Sequence, residues 1–399
     1  MKLLTKLGKL MPRRSWHSPV ALVYVVPFVA VGVLVLLVAS AAGSFLSLSP
    51  QQGQIAGNAG VVSVSSAVGG KAVKFGTTAA STPTPTPAPS GTPAPISGRF
   101  GIALGGGWQG YSTSQLNSYF ADMASNLGVQ WVRFDLNWVA IQPSSGGSYN
   151  WSAYDNVANA ARAHNLKVLA ILDQAPSWAQ SSSCAGQAWC PPNGSSSFAA
   201  FAAAAATHYA PLGVTTFEIW NEENQNGFWI NPNVANYTAL LKASYTAIHQ
   251  AEPGDFVVSG GVSPGETPLI QPNTFVQGMY ADGAKGYFDA LGIHPYCFSD
   301  PGVCATNNSS NGDAWGQMAY GPNNIKNIMA ANGDGNKQIW ITEFGDNNSD
   351  VVQEMDNAFN LTNGQAWAGP IFWYDYTGDG SFGLVGTAAY NEYAKLAGK

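Results

Sequence analysis

The chain has 399 residues, 46% of them hydrophobic, which is enough for one large core with appendages. Charge is unevenly spread: residues 1–97 hold seven basic residues and no acidic one, whereas 98–399 hold ten basic against 23 acidic, a net of −13. A surface that negative repels phosphate backbones, which excludes nucleic acid as a partner, and it opposes a strongly anionic polymer. Charged residues are 10% of the chain and aromatic ones 12%, a balance that suits a neutral, hydroxyl-rich ligand, although a core rich in aromatics accounts for part of it.

Residues 1–19 form a basic N-terminus, and the stretch Val20–Ala42 carries no charge. That length spans a bilayer, and five preceding Lys/Arg residues place the N-terminus in the cytoplasm. A cleaved signal peptide is the alternative, because Ala39-Ser40-Ala41 resembles a cleavage site. The apolar run exceeds the usual signal core of about 7–15 residues, which favours an uncleaved anchor. Either way the remainder is expected outside the cytoplasm, at the cell membrane or secreted. Residues 43–97 read as a disordered linker, extended and semi-rigid over the Pro/Thr-rich Ser81–Pro95. Within it, 60–75 is a Val-rich patch of no legible role. Cys184/Cys190 and Cys297/Cys304 are two close pairs, each suited to a local disulfide in an oxidising compartment. A zinc site is disfavoured, because neither pair has C-x-x-C spacing and the histidines are scattered.

From Gly98 onward, short apolar runs alternate with helical patterns. Candidate strands are Phe100–Ala103, Trp131–Asp135, Lys167–Leu172, Phe217–Trp220, Phe256–Gly260, Ala290–His294, Gln338–Thr342 and Gly369–Trp373. Candidate helices include Thr113–Leu127, Tyr154–His164, Phe198–Tyr209, Val234–Glu252, Asn323–Ala331, Val351–Asn360 and the closing Thr387–Leu396. Runs such as Val168–Leu172 are apolar on both faces, as parallel strands covered by helices must be. Eight β/α repeats without a Gly-rich dinucleotide fingerprint predict a (β/α)8 barrel over 98–399; Gly105-Gly106-Gly107 reads as a turn.

In such barrels chemistry sits at the C-terminal ends of the strands. Those ends bear Arg133 and Asp135, Asp173, Asn221 with Glu222, His294 and Tyr296, Glu343, and Trp373. Two carboxyl groups and several aromatic plates at one mouth suit glycoside cleavage, in which one carboxylic acid protonates the leaving oxygen and a second carboxylate attacks or activates water. Aromatic faces orient a sugar ring. Trp220-Asn221-Glu222, together with Trp340-Ile341-Thr342-Glu343-Phe344-Gly345, resembles clan A of the retaining glycoside hydrolases. The string Glu218–Glu222 followed by Phe228-Trp229 most resembles family 39 and its endo-acting bacterial relatives, with family 5 next. The resemblance covers nearly all of 98–399. It implies Glu222 as general acid/base, Glu343 as nucleophile, Asn221 on the sugar 2-hydroxyl, Arg133 beneath the nucleophile, Tyr296 donating to Glu343, His294 on the same floor and Trp373 as the platform. No ligand cluster or phosphate loop appears in the sequence, so no metal or organic cofactor is expected.

Relatives often carry Pro after the acid/base; here it is Glu223, expected to face solvent. Glu218 reads as structural, deeper in the barrel and paired with Arg133. Trp178 and Trp229 are read as substrate platforms, against ordinary packing. Asp135 and Asp173 read as loop anchors or helix caps. The expected activity is double displacement on a neutral polysaccharide or oligosaccharide, endo-acting if short βα loops leave an open cleft. A non-catalytic glycan-binding envelope scaffold and a transglycosylase with the same residues are the alternatives. The sequence leaves the oligomeric state open.

Overall fold

The computed structural model describes residues 98–264, 270–296, 305–307, 314–378 and 382–399, and, for the backbone alone, 59–63 and 71–75. The expected membrane anchor at 20–42 and the Cys297/Cys304 pair lie outside the described residues, and among those described no helix is long and apolar enough to cross a membrane. The chain divides into two compact units, Met1–Gly91 and Thr92–Lys399. In the first, β1 (Ala59–Ser63) and β2 (Lys71–Phe75) form a two-stranded antiparallel sheet where an extended linker was expected. Its β-branched Val61, Val62 and Val73 are the residue type a pleated strand favours.

The second unit is a closed barrel of eight parallel strands, β3 (Phe100–Ala103), β4 (Trp131–Asn137), β5 (Lys167–Asp173), β6 (Thr216–Ile219), β7 (Phe256–Ser259), β8 (Ala290–Ile293), β9 (Gln338–Phe344) and β10 (Ala368–Tyr374), with β10 closing on β3. Its helices are α1 (Thr113–Ser125), α2 (Trp138–Ile141), α3 (Ser152–Ala163), α4 (Ser196–Tyr209), α5 (Val234–Ala251), α6 (Pro272–Ala281), α7 (Ile325–Ala331), α8 (Val351–Thr362) and α9 (Ala388–Leu396). The helix α6, absent from the sequence reading, opens on Pro272, whose fixed φ suits a first helical turn.

Side chains alternate as a barrel demands. Val132, Phe134 and Leu136 of β4 pack outward under the helices, while Trp131 points inward. Trp131, Phe256, Trp340 and Phe372 plug the lumen with ring centroids 5.3–6.4 Å apart. Glycines opposite make room: a Cβ on Gly369 would stand 2.1 Å from Trp340, and one on Gly101 2.6 Å from Phe372. The plug closes the lower lumen, so ligand access is confined to the C-terminal mouth. The connections there are not uniformly short: β5 to α4 runs over 174–195 and β8 to α7 over 294–324. The first is stapled by a Cys184–Cys190 disulfide.

Candidate active site

Two strands break their own period to form the mouth. Ala368 and Ile371 of β10 pair with Ile339 and Ile341 of β9, so β10 carries one extra residue; Trp373 then pairs with Phe344, so β9 carries the next. Such bulges re-aim side chains. Here the first, at Gly369-Pro370, turns Phe372 and Tyr374 inward and Trp373 outward. The second, at Thr342-Glu343, lets Glu343 follow the inward Thr342 to the mouth. After β6 the backbone passes through the left-handed region twice, at Trp220 (φ 71°) and Glu222 (φ 47°). For L-residues that conformation costs about 1–2 kcal/mol each. Cross-ties hold it: Trp220 Nε1 donates to the Phe228 carbonyl at 2.7 Å, and the Asn224 amide bridges the backbones of Ser263 and Ile270 at 2.7–2.9 Å.

Arg133, 3% exposed, organises the floor. Its Nε donates to Glu218 Oε2 at 2.6 Å, its Nη1 to Glu343 Oε1, and its Nη2 to Asn221 Oδ1 at 2.8 Å. Glu218 is therefore the buried counter-ion of Arg133. The hydroxyl of Tyr296 donates to Glu343 Oε2 at 3.1 Å. Burial alone would raise the Glu343 pKa; the charges of His294 and Arg133 and the hydrogen bonds from Arg133 and Tyr296 outweigh it and hold the group below the ordinary carboxylate value. Burial and the charge of Glu343 keep the Tyr296 hydroxyl well above its usual value, so it remains a donor.

His294 is fully buried and joins the two carboxyls. Thr342 spends its one hydroxyl proton on Glu218 Oε1 at 2.9 Å, so toward His294 it can only accept. This assigns a hydrogen to His294 Nε2, 3.1 Å away. The other ring nitrogen, Nδ1, lies 2.8 Å from Glu222 Oε1 and 3.7 Å from Glu343 Oε2. The proton between His294 and Glu222 belongs to the carboxyl when the ring is neutral and to the ring when it is charged. Gln225 Nε2 donates to the second Glu222 oxygen at 2.9 Å.

Glu222, Glu343, His294, Tyr296, Asn221 and Arg133 thus converge on one mouth. The tryptophans divide. Trp178 stays half-buried at the rim, edge-on to Trp138 with its Nε1 donating to the Gln142 carbonyl at 3.2 Å. Trp229 is buried between Trp220 and Tyr237, and Trp373 is fully buried against Phe344 behind the barrel wall. Neither reaches the mouth as a platform. For Trp373 the cause is the Gly369-Pro370 bulge, which gives the inward place to the half-buried Tyr374, missed from the sequence. Glu223 is fully buried rather than solvent-facing, against Gly260, where a Cβ would meet its Oε2 at 2.1 Å. Burial pushes its carboxyl well above the ordinary range.

One nitrogen of His294 and one oxygen each of Glu222 and Glu343 lie within 4.8 Å of one another, close enough to share an ion. The residues do not fit one: the Arg133 guanidinium already occupies Glu343 and lies 3.5 Å from His294 Nε2, so a metal would meet a resident cation.

No protein-family model matches the chain, and no curated protein matches it. Solved structures do. A family 39 glycoside hydrolase from Bacteroides cellulosilyticus superposes with TM-score 0.58 at 21% identity, over 75% of this chain and 63% of that one. The likeness is one of fold, a closed barrel of eight parallel strands. A monomeric β-xylosidase from Caulobacter crescentus gives 0.58 at 18% identity, over 76% of this chain and 68% of that one. A GH39 enzyme from Xanthomonas axonopodis pv. citri gives 0.57 at 16%, over 76% and 67%. This chain therefore spans less than two thirds of the first of these proteins, and at such identities the shared property is the fold.

Proposed function

We propose that the chain is a retaining O-glycoside hydrolase. The observation that carries this reading is the placement of one oxygen each of Glu222 and Glu343 within 4.8 Å of one another. Retention requires carboxyl groups about 5–5.5 Å apart, whereas inversion needs about 6.5–9.5 Å to admit a water. The two environments divide the roles. Glu343, held ionised by Arg133 and hydrogen-bonded by Tyr296, attacks the anomeric carbon. Glu222, which shares a proton with His294, gives it to the departing oxygen. In the second step water attacks the glycosyl ester, Glu222 takes the water proton, and Glu343 leaves as carboxylate. Asn221, turned toward Arg133, is the polar group beside the sugar 2-hydroxyl.

The finer parts of the proposal are endo action and a place outside the cytoplasm, tethered by residues 20–42 to the membrane with an envelope or nearby polysaccharide as substrate. The apolar N-terminal stretch and the disulfide in the β5–α4 connection support that location. Proton NMR of the first-formed product anomer tests the mechanism on a panel of polysaccharides and aryl β-glycosides. Retention that disappears in Glu343→Gln supports it, and an inverted product, or full turnover in that variant, removes it. Product sizing and membrane fractionation test the finer parts.

A further inference from the structure

The mouth holds two more carboxyl groups that double displacement does not use. Asp135 and Asp173 stand on the neighbouring strands β4 and β5, whose register pairs Asp135 with Ile171 and Asn137 with Asp173. By alternation they share the inward face with Arg133 and Leu169, the latter lining the lumen. Asp135 is half-buried, and Asp173 is fully buried with neither oxygen meeting a protein hydrogen-bond donor. Tyr154 is buried, and the charges of both aspartates act on its hydroxyl.

Charge is what distinguishes this pair from an ordinary hydrogen-bonding wall. Arg133 is the cation that acts on both aspartates, yet its guanidinium is already divided among Glu218, Glu343 and Asn221. Glu218 acts on both as a further negative charge, and Glu343 does so on Asp135. Two neighbouring carboxyl groups without a cation of their own cannot both ionise. Burial, with these repulsions added, pushes Asp135 up to about 6 and Asp173 well above its ordinary value. A vicinal diol could hydrogen-bond to them but would leave the repulsion in place. An ammonium group supplies both N–H donors and the missing charge.

We infer that Asp135 and Asp173 form a subsite for the ammonium group of an amino sugar, so that the substrate class is a glycan with free primary amines. This rests on the glycosidase reading and refines the neutral ligand that composition suggested. Filling the subsite converts a protonated pair into two carboxylates around a cation, and the displaced protons pass to solvent. The charged or titratable groups facing the pair are Arg133, Glu218, Glu343 and Tyr154.

The test is calorimetry on the full-length chain carrying Glu222→Gln, titrated with β-1,4-linked tetramers of glucosamine, N-acetylglucosamine and glucose, in buffers of differing ionisation heat. The glucosamine tetramer is expected to bind about tenfold tighter or more than either counterpart, to expel protons in mildly acidic buffer, and to tighten as pH rises through the mildly acidic range, because protons compete with the ammonium for the two carboxyl groups. Asp173→Asn added to that chain is expected to remove both the preference and the proton release; Asp135→Asn replaces it if thermal melts show the first variant unfolded. Equal binding of the three tetramers, or amine binding without proton release, overturns the inference. Turnover by the unmodified chain is scored separately. Hydrolysis without amine preference leaves the glycosidase reading standing and removes this one, and amine preference without hydrolysis does the reverse.

Discussion

Thr342 accepts from His294 Nε2 at 3.1 Å because its own hydroxyl proton is committed to Glu218. That commitment makes a residue two contacts from the reacting carbon responsible for which His294 nitrogen faces Glu222. Removing the hydroxyl in Thr342→Val frees the ring to change tautomer and turn. The expected result is a fall in kcat of about 10- to 100-fold with KM little changed, since misplacement of a catalytic group by about 1 Å costs that much. Thr342→Ser, which restores the hydroxyl, should recover most of the loss. Steady-state kinetics on the three proteins decides it, and equal kcat values would remove Thr342 from the circuit.

Arg133 carries two duties that one experiment can separate. Its charge holds Glu343 ionised, and its Nε neutralises the buried Glu218. Glu343 has a lowered folded pKa, so its stabilising contribution is present above the ordinary carboxylate pKa and fades as pH falls through the lowered value. Without the guanidinium that value rises, so the acid limb of kcat/KM should move upward by about one to three pH units in Arg133→Gln. The same change strands Glu218 and should cost about 3–5 kcal/mol of stability. A double variant, Arg133→Met with Glu218→Leu, should regain the melting temperature but not the acid limb. Recovery of both would mean that Arg133 acts only as scaffold.

Glu223 gives a prediction of opposite sign. Its folded pKa is raised, so between its unfolded and folded values the folded chain binds more protons, and stability is lost as pH rises through that window. Glu223→Gln is neutral at every pH and nearly isosteric. It should melt with the parent near pH 4 and above it at pH 8, where each ~1 kcal/mol is worth about 2–4 °C in a domain of this size class. A difference between the two proteins that does not change with pH would show that Glu223 is not the group being neutralised.

The barrel was legible because parallel strands under helices leave an unambiguous pattern: runs such as Val168–Leu172 are apolar on both faces and separated by helical periods. Glu222, Glu343, Arg133, His294 and Tyr296 were legible because each lies at the end of such a run, where topology alone decides that chain-distant residues meet. Glu223 was misread because adjacent residues on a regular strand diverge, whereas here the left-handed backbone at Trp220 and Glu222 abandons strand geometry. The reading of Asp135 and Asp173 as loop anchors missed that both continue the inward alternation of ordered strands. The resemblance put Trp373 at the mouth, and no local signal beyond Gly369-Pro370 announced the extra residue that turned it away.

The exchange of places between the two rings is testable, since Trp373 and Tyr374 should fail in different ways. Trp373 is fully buried against Phe344 on the outer face of the wall, so Trp373→Ala should cost about 3–5 kcal/mol of stability. Activity per folded molecule, measured well below the melting transition, should change little. Tyr374 faces the mouth, where a Cβ on Gly105 would stand 3.2 Å from its hydroxyl and its ring lies edge-on to Phe382 at 5.8 Å. Tyr374→Ala should therefore lower kcat/KM on the order of tenfold or more, about 1.4 kcal/mol of transition-state binding, with a smaller shift in melting temperature. Denaturant melts and initial rates on both variants, with Trp229→Ala expected to follow Trp373→Ala, place each ring on its side of the wall. An activity loss concentrated in Trp373→Ala would restore the regular alternation that the β9–β10 register denies.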